Sequence, residues 1–173
     1  MGRLVALALL VSAACNSSPA GQATTQPSAS VRMVAGGCAG TVLSNAEPPT
    51  WAQGGWSVTK GDPWPVPWAM GSGGSAIASV FAIHLVAGGS PRSDGSNNKV
   101  LWVVQDPSVN DFFVRGHPLD RSEPVIEVPG GPSIVDPPSP GCWTFQLSWN
   151  VNGGSQRVGT INLDVLPKGS LPS

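Results

Sequence analysis

A serine nucleophile needs a base within reach and a sharp turn that exposes its hydroxyl, the role of a Gly-x-Ser-x-Gly elbow. Gly73-Gly74-Ser75-Ala76-Ile77 lacks the second glycine and leads into a strand-forming run rather than a helix. The chain offers two histidines as bases: His84 inside an apolar run, and His117 directly before Pro118 in an expected turn. Neither has the close His or Cys spacing of a zinc site. Asp94-Gly95-Ser96-Asn97-Asn98 superficially resembles a calcium loop, but no Glu stands at the closing position, so it reads as a turn. Asp120 and Glu123 are paired carboxylates with Arg121 between them, a pattern that usually marks a solvated loop. There is no Gly-Lys-Ser/Thr cradle for phosphate. The expectation is a protein that is not an enzyme, with no metal and no cofactor. The alternative is a cell-wall-directed hydrolase whose site is assembled from distant residues such as His117, Asp120 and Glu123.

The side chain in which this sequence is rich is tryptophan, seven residues against no tyrosine. Trp51, Trp56, Trp64 and Trp68 fall close together. An indole buries a large area, and its N–H needs a partner. Two readings follow. The four rings plug an open end of the fold, or they form a platform that stacks on sugar rings or grips a Pro-rich peptide. Trp64 and Trp68 lead the second reading, because the prolines of Gly61-Asp62-Pro63-Trp64-Pro65-Val66-Pro67-Trp68 stiffen the segment and lower the ordering cost of binding. The absence of tyrosine counts against a carbohydrate platform, since such platforms usually mix the two rings.

Those residues must be positioned by short strands. In Cys142–Trp149, Trp143, Phe145, Leu147 and Trp149 alternate with Cys142, Thr144, Gln146 and Ser148, which puts four large apolar groups on one strand face. One hairpin cannot cover such a row, so a second sheet must pack on it. Arg157–Val165 alternates likewise, with Ile161, Leu163 and Val165 on one side. Lys99–Gln105, Asp111–Arg115, Val125–Val128 and Ser133–Val135 read as further strands, with Gly116-His117-Pro118 as a turn. Ala76–Val86 is apolar on both faces and suits one central strand, with Ile77, Phe81, Ile83 and Leu85 on one side. Cys38–Leu43 and Gly55–Thr59 are weaker candidates. Alternating prolines keep 61–68 out of a central ladder, so it reads as an extended surface segment or edge. Strands at this spacing predict an all-β, immunoglobulin-like antiparallel sandwich of about 7–9 strands.

The chain begins with Arg3, a short apolar run over Leu4–Val11, and Ser12-Ala13-Ala14-Cys15. This is a secretory signal rather than a membrane span, which needs roughly 20 apolar residues. The ending resembles a bacterial lipobox, which implies that Cys15 is lipidated and becomes the first mature residue. Ordinary cleavage near Ala14 is the alternative. If Cys15 carries lipid, Cys38 and Cys142 remain to pair in an oxidising compartment. Residues 16–30 carry no charge and no large apolar group and read as a flexible tether. The expected organisation is a signal peptide over 1–14, lipidated Cys and tether over 15–31, a sandwich over 32–168 and a tail over 169–173. A formal charge of −1 gives no electrostatic reason to expect nucleic acid. The expected partners are the membrane, through the lipid, and a cell-wall glycan or an envelope protein.

Asn98-Lys99-Val100-Leu101-Trp102-Val103, Gly131-Pro132-Ser133-Ile134-Val135 and Pro138-Ser139-Pro140-Gly141-Cys142-Trp143 together resemble a family of uncharacterised lipoproteins from Gram-positive, especially actinobacterial, species. The resemblance spans roughly Trp51 to Val165, and Pro-Gly-Cys-Trp is its most specific element. It implies a lipid-anchored extracellular β-domain on the cell membrane. It supplies no activity and no catalytic residues.

Overall fold

Trp143, Phe145, Leu147 and Trp149 are all buried, along one face of β10 (Gly141–Val151). In the computed structural model, which describes residues 33–59, 62–106, 109–151 and 154–170, this strand is the middle of a two-sheet sandwich. The expected signal peptide, Cys15 and the tether lie outside the described residues. β10 pairs on one side with β11 (Gln156–Leu166), whose Ile161, Leu163 and Val165 point into the same core. On its other side runs β7 (Val109–Pro118), followed by β8 (Ile126–Pro129). The facing sheet has the order β1 (Met33–Val34), β2 (Leu43–Ser44), β3 (Trp68–Met70), β4 (Ala76–Val80), β6 (Lys99–Val104) and β9 (Gly131–Ile134). Trp102 of β6 reaches across the core to Phe145, with ring centroids 5.5 Å apart.

The expected all-β sandwich is present, with eleven strands among the described residues where about 7–9 were expected. The order β4-β6-β9 in one sheet, facing β11-β10-β7-β8 in the other, follows the immunoglobulin-like pattern. Strands β1 to β3 extend it at one edge.

Four local expectations are corrected. Ala76–Val86 is not one strand. β4 ends at Val80, the chain bends through Phe81–His84, and β5 (Leu85–Val86) emerges in the opposite sheet. There β5 pairs in parallel with β11, so the sandwich is not purely antiparallel. The bend turns Phe81 and Ile83 outward to solvent while Leu85 stays buried. A run that is apolar on both faces suits a strand covered by two layers, and it equally suits one strand divided between two sheets.

Trp68 is not at an edge. It opens β3, which lies between β2 and β4, while the prolines end at Pro67, where a carbonyl still accepts from Val80 N–H at 2.8 Å. The ladder starts where the missing donors stop.

Gly116 does not begin a turn. β7 continues through it to Pro118, and a Cβ at Gly116 would lie 2.8 Å from Cε1 of Phe145. The glycine makes room for the core ring. Neither Cys38–Leu43 nor Gly55–Thr59 forms a strand as a unit. The first segment instead lies along β11, with Gly37 bridged to Leu163 and Cys38 N–H donating to Asn162 O at 3.3 Å.

That arrangement brings Cys38 against Cys142. The two form a disulfide with Cα atoms 5.9 Å apart across 104 residues of chain. It joins the N-terminal approach to the start of the central strand.

Candidate ligand-binding face

Residues between β2 and β3 form a long excursion whose base is tied shut. Trp64 N–H donates to Asn45 O at 2.9 Å, and the Trp68 indole N–H donates to Ala46 O at 2.7 Å. Within the excursion, a single 3-10 turn at Thr50–Ala52 buries Ala52. Gln53 Nε2 then donates to Glu47 Oε1 at 3.0 Å and to Pro48 O at 2.7 Å. A backbone bond from Trp56 N–H to Gln53 O sets the position of Trp56. Local hydrogen bonds thus order a segment that carries little regular structure.

The four early tryptophans separate in role. Trp64 is 5 % exposed, and its indole N–H is buried without a partner among the described residues. Trp68 is half-buried in β3 with its N–H satisfied. Trp51 is half-buried in the 3-10 turn. Trp64 and Trp68 therefore do not present two open faces side by side, as a platform requires.

Trp56 takes the outward place. Its ring stacks on Phe81 with centroids 5.8 Å apart and planes 26° from parallel, and it tilts 55° against Trp64 at 5.5 Å. Phe81 is 41 % exposed, and Lys99 Nζ lies 4.7 Å from its ring centroid, within cation–π range. The series Trp64, Trp56, Phe81, Lys99 forms a ridge from core to solvent.

A hollow lies on each flank of this ridge. On the Trp56 side a cleft of about 340 Å³ is lined by Glu47, Gln53, Trp56, Thr59, Asp62 and Trp64, among others. On the Phe81 side a more open groove of about 470 Å³ is lined by Ile83, Arg92, Asp94, Ser96 and Lys99, among others. Both have the size of ordinary ligand sites, roughly 300–1,000 Å³. Because Trp56 and Phe81 are in contact, the two hollows share one aromatic wall. The Trp56 cleft is rich in acceptors: the described residues lining it include two carboxylates and no cation. The Phe81 groove carries both signs. Asp94 is held below its ordinary carboxylate value, chiefly by the Ser96 hydroxyl and then the Ser96 N–H, with Arg92 adding to the effect.

Phe81, Lys99, Glu47 and Gln53 were not legible as site residues. Phe81 looks like core in a continuous strand, and its exposure follows only from the switch between sheets. The alternating prolines singled out Trp64 and Trp68, whereas the ring of this excursion that stacks on the exposed Phe81 is Trp56.

The dispersed hydrolase set is not gathered in one place. Asp120 lines an open groove beside Pro118, Leu119 and Cys142 that neither His117 nor Glu123 lines. His117 Nδ1 lies 2.8 Å from Pro118 O, its own neighbour in the chain. His84 is half-buried in the bend that follows β4. Among the described residues, no three His, Cys, Asp or Glu side chains come together as a metal site. Compared with known proteins, the chain matches no family model, no curated protein and no solved structure.

Proposed function

We propose that this protein is a non-catalytic binding domain, held on the outer face of a bacterial membrane by lipid on Cys15, that grips an extended cell-wall glycan along the Trp56–Phe81 ridge. The observation that carries this reading is the ridge itself: a half-buried indole stacked on an exposed phenyl ring, with a hollow on each side. Two hollows across one wall suit a chain that crosses the ridge better than a compact molecule. Sugar rings present C–H faces to aromatic groups and hydroxyl donors to acceptors, and Glu47, Gln53 and Asp62 supply acceptors on the Trp56 side. The lipobox and tether support the location, and the resemblance to actinobacterial lipoproteins supports the class.

The test is calorimetric titration of non-lipidated protein (C15S) with soluble peptidoglycan fragments and cell-wall polysaccharide. Saturable binding that weakens about tenfold or more in Trp56→Ala, as expected when a stacking anchor is removed, supports the reading. Absence of heat with every envelope glycan overturns it and turns the search to an envelope protein.

A further inference from the structure

Arg92 is a buried cation: the residue is 6 % exposed and its side chain 2 %. Burying a charge is costly unless it is paired and its donors are bonded. The pairing here is incomplete. Nη1 donates to His84 O at 3.1 Å, and Nη2 lies 3.5 Å from Asp94 Oδ2, on a side chain that is 37 % exposed. The Nε–H is buried and has no partner among the described residues. A guanidinium presents its donors as a rigid planar fork suited to an oxyanion, and part of this fork is unused.

Arg92 is among the residues lining two hollows. One is the groove beside Phe81. The other is a separate pocket of about 300 Å³ lined by Gly88, Gly89, Ser90, Arg92, Ser93 and Lys168, among others. The residues lining this second pocket include two cations, two serines and no carboxylate. Asp136 stands behind the lining: it accepts from the hydroxyl of Ser90 at 2.7 Å and from Asn98 Nδ2 at 3.2 Å, so the Ser90 hydroxyl proton is already taken. Lys168 is seated against the turn. Gly88 has φ +90°, and a Cβ there would stand 2.8 Å from Lys168 Cδ. The bare glycine lets the lysine stem lie on the backbone beside the pocket.

We propose that this pocket is an oxyanion site that takes a phosphate group, with Arg92 as the buried cation and Lys168 as the cation at the mouth. The phosphate comes either from free inorganic phosphate or from the phosphodiester of an anionic lipid at the surface to which the domain is tethered. The pocket shares no lining residue with the Trp56 cleft and only Arg92 with the Phe81 groove, so glycan binding can fail without affecting it.

The experiment follows the Arg92 Nε–H resonance by 1H–15N NMR while inorganic phosphate is added, with sodium chloride at matched ionic strength as the control. A saturable shift with phosphate, absent with chloride and weakened about tenfold in Lys168→Met, is the expected result. Lys168 is exposed, so this variant folds; Arg92→Lys, which keeps the charge but loses the fork, is expected to weaken binding as well. A second arm sediments the non-lipidated protein with phosphatidylglycerol vesicles and with phosphatidylcholine vesicles. Binding to the former that is lost in Lys168→Met assigns the site to lipid; a phosphate shift without vesicle binding assigns it to free phosphate. No phosphate shift, a shift matched by chloride, or one unchanged in Lys168→Met overturns the proposal.

Discussion

Asn98 and Val86 are joined as if they were partners in a ladder: Val86 N–H donates to Asn98 Oδ1 at 3.0 Å, and Asn98 Nδ2 donates to Val86 O at 2.8 Å. Asn98 is fully buried, and its backbone is also engaged, donating to Ser90 Oγ and accepting from Val135 N–H. One amide side chain therefore completes the hydrogen bonding of β5 at the point where the chain changes sheets. Asn98→Leu keeps the branched shape, with two bulkier methyl groups, but leaves two buried backbone groups of Val86 unpaired. The expected loss is on the order of 3 kcal/mol in urea unfolding, far above the cost of a surface change. A loss under about 0.5 kcal/mol would show that water replaces the amide.

The disulfide closes most of the domain into one loop. Cys38→Ser with Cys142→Ser removes a cross-link across 104 residues, worth up to about 4.7 kcal/mol in the chain-entropy model. The double variant and the dithiothreitol-reduced protein are both expected to unfold at much lower urea concentration. Because the bond holds the 36–41 segment on β11, exchange protection of Asn162 and Asp164 amides should fall first, and equal protection in both forms would contradict this role.

Trp64 and Trp56 should respond in opposite ways. Trp64 is core, so Trp64→Ala is expected to cost about 3–5 kcal/mol of stability. Trp56→Ala and Phe81→Ala are expected to cost much less stability and to weaken glycan binding. Thermal unfolding alongside calorimetric titration separates the two. If Trp56→Ala destabilises as strongly as Trp64→Ala, the ridge is a plug and not a binding face.

The turn 92–96 makes a pH prediction with a definite sign. Folding lowers the pKa of Asp94 from its ordinary 3.8, with the Ser96 hydroxyl as the largest cause. A depressed folded value means that the ionised form is favoured in the native state. Its stabilising contribution is present above about pH 3.8 and is lost as pH falls through the lower folded value. An NMR titration of the Asp94 carboxyl should show a midpoint below 3.8, and Ser96→Ala should raise it. An unchanged midpoint in that variant removes the hydroxyl as the cause.

The proposed anchor is tested by fractionation. Cys15→Ser is expected to move the protein from the membrane fraction to the medium in a bacterial host that processes lipoproteins. Retention on the membrane would mean that something other than Cys15 holds it there.

Much of the architecture is written in side-chain alternation. Trp143 to Trp149 and Ile161 to Val165 each show a period of two, and a strand with one buried face has no other way to satisfy it. The all-β class and the last hairpin follow from local pattern alone, and the Cys38–Cys142 pair from setting Cys15 aside as the lipobox cysteine. What local pattern cannot carry is where one strand leaves its sheet. Ala76–Val86 is apolar apart from Ser79 and His84, and no glycine, proline or charge within it marks Val80 as an end. Beyond the break, β5 is held by Asn98, twelve residues past Val86, whose amide supplies bonds that a neighbouring strand would otherwise make. The change of sheets turns Phe81 outward under Lys99 and against Trp56, so the ridge exists only once the two sheets have packed. Arg92 is a similar case. Its sequence neighbours are polar and turn-forming, yet the guanidinium is enclosed, with Nη1 donating to His84 O eight residues back. Alternation determined the layers of this protein; contacts between residues distant in sequence decided which side chains the layers leave at the surface.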